Sequence, residues 1–457
     1  MKQLLFWIAI SKLLVILIVF FSGIGLMPDE AQYWTWSKEL SYGYYSKPPG
    51  IAWQIAFGTW LFGDSEFGVR FGSILLSFGL SLALYWLAKS CTLTHKQAFW
   101  VSIAFSFCPL GILSAFFATT DCAYVLFWTL ACFLFCQNPT NNFLRIGAVI
   151  ALGALWKWPI YCIWLPIVAL SWHYPGRLCL GFLVSLLGLL PSFIWNLTRG
   201  FPTFQHVAKS IDVIGKGNPL EFLGAQVALA SPIFFILIVM AFVRFRETSL
   251  PFRFCFGTAL AFFSVVFGAS FFEKVQGNWA VAAYPTAFVI MVYYSRPVWL
   301  KVGLIVACLM VAAVFFVPKV FMQGLGWKGI APALERSGYD QNKDFLFSDR
   351  YQVTSLLSFY GPEKKRAFFF NIQNLRHNQF DFWPGMKEKC QGKTGYFVEF
   401  VKDKEAVSSA QRIKEKLSSY FSSVTILPPQ QLYKEKVAII LRCEGYNGKS
   451  VPSTNKY

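Results

Sequence analysis

Two adjacent carboxylates, Asp29 and Glu30, stand directly after the first apolar run, and a single lysine, Lys47, closes the same aromatic-rich stretch in "SKPPG". A third acid, Asp121, opens another apolar run in "ATTDCAYVLFW", and Lys157 sits between two tryptophans in "LWKWPIY". A carboxylate at the boundary between water and lipid is partly desolvated, which lifts its pKa toward the range of a general base or leaves it ready to hold a metal. A lysine in the same place offers a fixed cation for a phosphate. Two prolines after Lys47 stiffen the chain and bias the lysine toward extended backbone. Each residue also has a plainer reading. Asp29 or Glu30 suits the cap of a helix beginning at Ala31, Asp121 suits the cap of its own helix, and the two lysines suit snorkelling anchors in an aromatic belt. Three acids on one face of a membrane protein are the stronger signal, because carboxylates at bilayer depth are costly and face a cavity or a partner.

The elements that must position these groups are membrane helices. The chain of 457 residues is 56% hydrophobic and only 14% charged, where a soluble protein carries about 25% charged residues. Its 49 phenylalanines exceed what one water-soluble core could hide. Apolar runs near the spanning length of about 20 residues fall near 4–26, 69–88, 97–116, 122–137, 143–156, 159–172, 177–196, 222–243, 254–272, 278–295 and 299–318. Runs of this kind satisfy their backbone amides internally as helices. The first is expected to stay as an uncleaved anchor.

With the N-terminus inside, ten Lys/Arg from Lys2 to Lys301 lie on cytoplasmic turns with one acid, Glu247, whereas the opposite loops carry eight with nine acids. Merging 143–172 into one span would reverse Arg244, Arg246, Arg253, Arg296 and Lys301, so the bias favours eleven spans and an external tail. The expected architecture is an all-α polytopic domain over 1–318 and a small external α/β domain over 319–457. In the first loop, 27–68, Trp53, Phe57 and Trp60 mark one face of a helix lying in the interface, and Tyr33 and Trp36 begin a similar face. A second loop, 197–221, carries Arg199, His206, Lys209 and Lys216. In the tail, "DFLFS", "GYFVEFV", "SVTIL" and "VAIIL" read as strands, and Val407, Ala410, Ile413 and Leu417 as one helix face.

The net charge of +18 suits anionic head groups or phosphates. No basic–aromatic periodicity points to nucleic acid. Cys132 and Cys136 share a helix face and read as packing residues rather than metal ligands. Cys390 and Cys443, alone in the tail, would pair only if the fold brought them together. His95, His173, His206 and His377 lack metal-ligand spacing, and no HExxH, CxxC, Walker or G-x-S-x-G sequence occurs. A nucleotide-fuelled or serine-nucleophile enzyme is thereby disfavoured. Two main classes stay open: an enzyme acting on a lipid-borne substrate, and a transporter or flippase. A scaffold using the basic tail is a third. Paired repeats with broken helices, the mark of a transporter, are not found in the sequence.

"PDEAQYW", "SKPPGIAW" and "TTDCAYVLFW", followed by "LWKWP", "LPSFIWNLTRGFPTFQH" and "GNWAVAAYP", resemble the GT-C superfamily of membrane glycosyltransferases, in the branch of bacterial protein O-mannosyltransferase-like proteins and lipid A aminoarabinose transferases. "FSDRYQVTSLLSFYG" and "NQFDFWPG" extend the resemblance into the tail. It implies inverting transfer of a sugar from a polyprenyl phosphate to an envelope acceptor (lipid A, a core glycan or a protein) on the periplasmic face of the bacterial inner membrane. By motif, Asp29 would be the catalytic base or orient the acceptor, Asp121 would be the second acidic site residue, and Glu30 an acidic neighbour. Lys47 would contact phosphate. Lys157 would be a second phosphate contact, although Trp158 stands where the family commonly has glycine. A divalent cation at Asp29 and Glu30 would be compatible with this chemistry, and no ligand set requires it.

Overall fold

The computed structural model describes residues 1–211, 217–316, 318–434 and 436–452. Lys216 and the side chain of Lys209 lie outside the described residues. Each apolar run is helical. In chain order the helices are α1 (Lys2–Phe21), α2 (Pro28–Ser37), α3 (Gly50–Phe62), α4 (Glu66–Ser90), α5 (His95–Phe107), α6 (Pro109–Phe116), α7 (Thr120–Gln137), α8 (Phe143–Ala154), α9 (Trp164–Ser171), α10 (Pro175–Leu186), α11 (Leu190–Leu197), α12 (Pro202–Ile211), α13 (Pro219–Ala230), α14 (Pro232–Val243), α15 (Leu250–Ala269), α16 (Tyr284–Tyr294) and α17 (Pro297–Phe316). Among the described residues, six apolar helical stretches are long enough to cross a membrane, with α10 and α11 acting as one, and bent pairs raise the number to eight. The α5–α6 pair bends by 59° at Pro109, whose ring removes a helix hydrogen bond, and α13–α14 bends by 106° at Ser231-Pro232. Three of the eleven expected spans, in 143–154, 158–171 and 277–294, contain shorter helices, two of them entered through a 3-10 turn.

The two helices of the first loop differ in what they bury. On α3 the expected aromatic face points outward: Phe57 is 48% and Trp60 78% exposed, while Ile51, Gln54, Ile55 and Gly58 pack inward. On α2 nearly every side chain after Asp29 is buried. This helix starts at Pro28, not at Ala31. Asp29 therefore lies in its first turn, and Glu30 reaches back to accept from the Met27 amide at 2.9 Å.

After α17 come α18 (Ile330–Arg336), α19 (Tyr351–Tyr360), α20 (Met386–Lys389) and α21 (Ala406–Leu417), with strands β1 (Phe345–Ser348), β2 (Phe368–Phe369), β3 (Gly395–Lys402), β4 (Phe421–Ile426), β5 (Gln430–Tyr433) and β6 (Lys436–Tyr446). The sheet order is β2-β1-β3-β6-β4, with β5 beside β6. The β2–β1–β3 pairs are parallel, and those made by β6 are antiparallel. The two-residue period of each strand splits the apolar residues between two cores. Phe345, Phe347, Phe397, Ile439 and Leu441 face α21, whereas Leu346, Tyr396, Val398, Ala438 and Ile440 face α18, α19 and, beyond them, Ala31, Trp34 and Trp36 of α2. The tail thus shares a core with the first loop. That explains why "DFLFS" and "GYFVEFV" are apolar on both faces.

One tail expectation needs correction, and one open alternative is decided. Val407 is 82% exposed, and the buried face of α21 runs instead through Ala406, Ala410, Ile413 and Leu417. Cys390 and Cys443 are both buried with free thiols, so no disulfide joins them.

Candidate active site

Asp29, Lys47, Asp121 and Lys157 come from four separate segments, and the fold brings them into one cluster. Asp121 lies in the first turn of α7, behind the Thr119 cap. One carboxylate oxygen accepts from Lys157 Nζ at 2.6 Å, and the other accepts from Asn278 Nδ2 at 2.7 Å. Lys157 sits on extended backbone between α8 and the following 3-10 turn, with its ammonium 5.3 Å from the Tyr124 ring centroid. Lys47 feels the charges of Lys157, Asp121, Asp29 and Arg376 together. Burial and the neighbouring cations pull its pKa down, while the two acids push it up.

The Lys47 loop is fixed from three sides. The Gly50 amide donates to the Leu155 carbonyl at 2.6 Å, and a Cβ at Gly50 would lie 2.6 Å from that same oxygen, so only glycine permits this approach. Trp156 Nε1 donates to Gln54 at 2.9 Å, and Gln54 in turn donates to Ser73 at 3.0 Å. From the tail, Gln379 accepts from the Tyr45 amide at 2.7 Å. The His206 ring lies 4.9 Å from that of Tyr45. "PPG", "LWKWP", "FPTFQH" and "NQFDFWPG" therefore converge on one lysine.

Asp29 and Glu30 are neighbours in sequence with opposite surroundings. Glu30 is buried and receives Arg70 on both oxygens, at 2.9 and 2.8 Å, together with the amides of Met27 and Ala118 at 2.9 Å. Arg70, also fully buried, donates further to the carbonyls of Ile24 and Gly25. Glu30 thus has no lone pair left for a metal or a substrate. Asp29 keeps solvent access on the other side of α2, and no described side chain donates a hydrogen bond to it. Crowding by protein raises its pKa above the ordinary carboxylate range, and Glu30 adds to the rise. Lys47 and Arg376 oppose it. Tyr33 and Tyr351 stand close enough to feel the Asp29 charge, and burial raises both phenols.

Three members of this cluster were not singled out from the sequence. Asn278 lies inside the quoted motif "GNWAVAAYP", but its pairing with Asp121 spans 157 positions. Arg376 sits in the tail beside "NQFDFWPG" and reaches His206 at 3.4 Å. Tyr351 opens α19 within "FSDRYQV". The motifs marked the segments, and only the fold showed which side chain each delivers.

A helical membrane region bearing a carboxylate–lysine cluster at one end, closed by a mixed sheet, defines a polytopic membrane protein whose polar site lies at one end of its helices. Residues 46–195 match the family model described as dolichyl-phosphate-mannose-protein mannosyltransferase. The lipid A galacturonosyltransferase RgtD of Rhizobium johnstonii is 26% identical over 303 residues, covering 62% of this chain and 63% of that protein. The undecaprenyl phosphate-alpha-4-amino-4-deoxy-L-arabinose arabinosyl transferase of Edwardsiella ictaluri is 27% identical over 227 residues, 43% of this chain and 41% of its own length. The chain spans less than two thirds of either relative. Among solved structures, ArnT from Cupriavidus metallidurans bound to undecaprenyl phosphate has the same fold, with a TM-score of 0.67 at 15% identity over 95% of this chain and 98% of the other. The oligosaccharyltransferase AglB from Archaeoglobus fulgidus is more distant, with a TM-score of 0.51 at 11% identity over 89% and 70%. The chain shares the fold of ArnT, is similar to membrane glycosyltransferases over part of its length, and is a multi-pass membrane protein.

Proposed function

We propose that this protein is an inverting glycosyltransferase that moves a sugar from a polyprenyl phosphate to an envelope acceptor on the periplasmic side of the inner membrane. The carrying observation is the meeting of a carboxylate, Asp29, to which no described side chain donates a hydrogen bond, with Lys47, Lys157 and Arg376 in one cluster. Inverting displacement needs a base on the acceptor side and charge neutralisation on the departing phosphate. Asp29 takes the acceptor proton as the new glycosidic bond forms. Lys47 faces the phosphate, which gains a negative charge as the bond to the sugar breaks. Lys157 is held at 2.6 Å by Asp121 and adds a second positive charge beside it. Asp121 is the acidic partner that fixes this lysine, with Asn278 locking its other oxygen. Glu30 acts through position: bound by Arg70, it anchors the turn that presents Asp29. No metal is needed for this sequence of bond changes, and Glu30 has no free oxygen to hold one.

The donor arrives already activated, which accords with the lack of a nucleotide motif. The prenyl chain would bind along exposed apolar helix surface at about 0.8 kcal/mol per buried CH2. The proposed acceptor class, lipid A, a core glycan or a protein, draws its support from the relatives rather than from the cluster. Lipid A is favoured because RgtD is named for it. The N-terminus would be cytoplasmic, and the region after Pro318 would form the periplasmic unit over the cluster. A flippase needs charges along a route to both faces, whereas these acids sit at one end of the helices.

The direct test is mass spectrometry of envelope lipids and proteins from cells with and without the gene. The expected result is one sugar mass missing from one envelope component in the deletion, restored by the intact gene and not by Asp29→Asn. An unchanged envelope, or restoration by Asp29→Asn, would overturn the assignment. A periplasm-active reporter fused after Tyr457 should be active, and silence would reverse the orientation.

A further inference from the structure

At the other end of the helices, Cys91, Cys136 and Cys255 converge from three elements. Cys91 caps the C-terminus of α4, Cys136 lies in the last turn of α7, and Cys255 lies near the start of α15. All three are buried, and their sulfurs all lie within 4.8 Å of one another. Cys91 Sγ and Cys255 Sγ are 3.6 Å apart. Fifteen residues of α7 separate Cys136 from Asp121, about 22 Å of helix. The cluster is therefore remote from the carboxylates and lysines, and takes no part in the reaction proposed for them.

Packing alone would be satisfied by thiols pointing in any direction, since buried cysteine behaves as a small hydrophobe. Convergence of three sulfurs from three helices asks for more. A trigonal three-sulfur centre with metal–sulfur bonds of about 2.3 Å has sulfurs about 4 Å apart. The observed spacing, 3.6 Å for one pair and within 4.8 Å for all three, brackets this value. A disulfide would need two sulfurs to close to about 2.05 Å and would leave the third idle. Lys89 and Arg253, each two residues from a cluster cysteine, put this end on the face read as cytoplasmic, where thiols stay reduced.

We propose that Cys91, Cys136 and Cys255 form an all-thiolate site for a soft d10 metal ion, copper(I) or zinc(II), which clamps α4, α7 and α15 together at the end of the helices opposite the candidate active site. Three metal–sulfur bonds form, and three thiol protons leave to water. No electron is transferred. Soft thiolate sets select such ions over magnesium or calcium.

The full-length protein, purified in detergent under reducing conditions, should retain close to one equivalent of copper(I) or zinc(II) by elemental analysis, and Cys136→Ser should retain almost none. Cobalt(II), as a surrogate for zinc, should give thiolate-to-metal charge-transfer absorption, whereas a chromophoric copper(I) chelator should be outcompeted if copper is the native ion. Should Cys136→Ser fail to insert, alkylation of the wild-type protein followed by peptide mass spectrometry decides the matter. The three cysteines should be protected together by added metal, and Cys162 and Cys179, which are exposed, should not. Equal alkylation with and without metal, or a Cys91–Cys255 disulfide as the main species, would overturn the proposal.

Discussion

Lys157 and Asp121, 36 positions apart, meet at 2.6 Å, and the ammonium so held stands beside Lys47 rather than reaching outward to lipid head groups. This pairing changes how both residues read. Asp121 is not the side-chain cap of α7, a role taken by Thr119, and Lys157 is not a snorkelling anchor. A carboxylate that orders a lysine near a second lysine prevents the two cations from driving each other out of the cluster, and leaves their combined charge available to a phosphate.

Replacing Asp29 by Asn should lower sugar transfer by about 10²–10⁴-fold, the usual contribution of a general base. Insertion should be unaffected. The folded pKa of Asp29 is raised, so its stabilising contribution is present below the unfolded carboxylate value and is lost as pH rises through the folded one. At neutral pH the charged form therefore costs stability, and Asp29→Asn should melt at a higher temperature than the wild type in detergent. A variant that is less stable and fully active would contradict both statements.

Arg376→Gln tests whether the tail contributes to the cluster. Asp29 must be ionised to act, so the rate falls at low pH. Removing one of the two cations that hold its pKa down should shift this acid limb to higher pH and raise the KM for the prenyl-linked donor. An acid limb that stays in place would separate Arg376 from Asp29.

Arg70→Met should act through stability. It leaves Glu30 buried without its ion-pair partner, a loss of about 3–5 kcal/mol, read as a large drop in melting temperature. Adding Glu30→Gln in the same chain should recover much of it, because the uncompensated charge is then gone. If the single variant kept wild-type stability, the anchoring role of Glu30 would be refuted.

The tail holds a second buried carboxyl. Burial and the nearby Asp349 push the pKa of Glu399 up to about 8, against the pull of Arg350 at 3.2 Å. The folded value exceeds the unfolded one, so this stability is lost as pH rises through about 8. Glu399→Gln should flatten the decline. Thermal melts across that range would show it, and identical profiles for the two proteins would remove Glu399 as the cause.

The amino-acid sequence by itself determined the helical membrane class and most tail strands, because both depend on local patterns. Apolar length makes a spanning helix, and two-residue alternation makes a strand, whatever lies far along the chain. Local pattern failed where the choice lay between adjacent positions. On α21 it chose Val407, yet Ala406 faces the core, since both fit a helical period and only contact with the sheet separates them. The same limit governs the site. Asp29 and Glu30 are chemically alike and adjacent, and the turn of α2 alone sends one toward Arg70 and the other toward the cluster. Asn278 and Arg376 join through contacts spanning more than 150 positions, which no local spacing encodes. Tertiary structure decided these roles because a buried charge takes its pKa and its freedom to react from whichever partners the fold places around it.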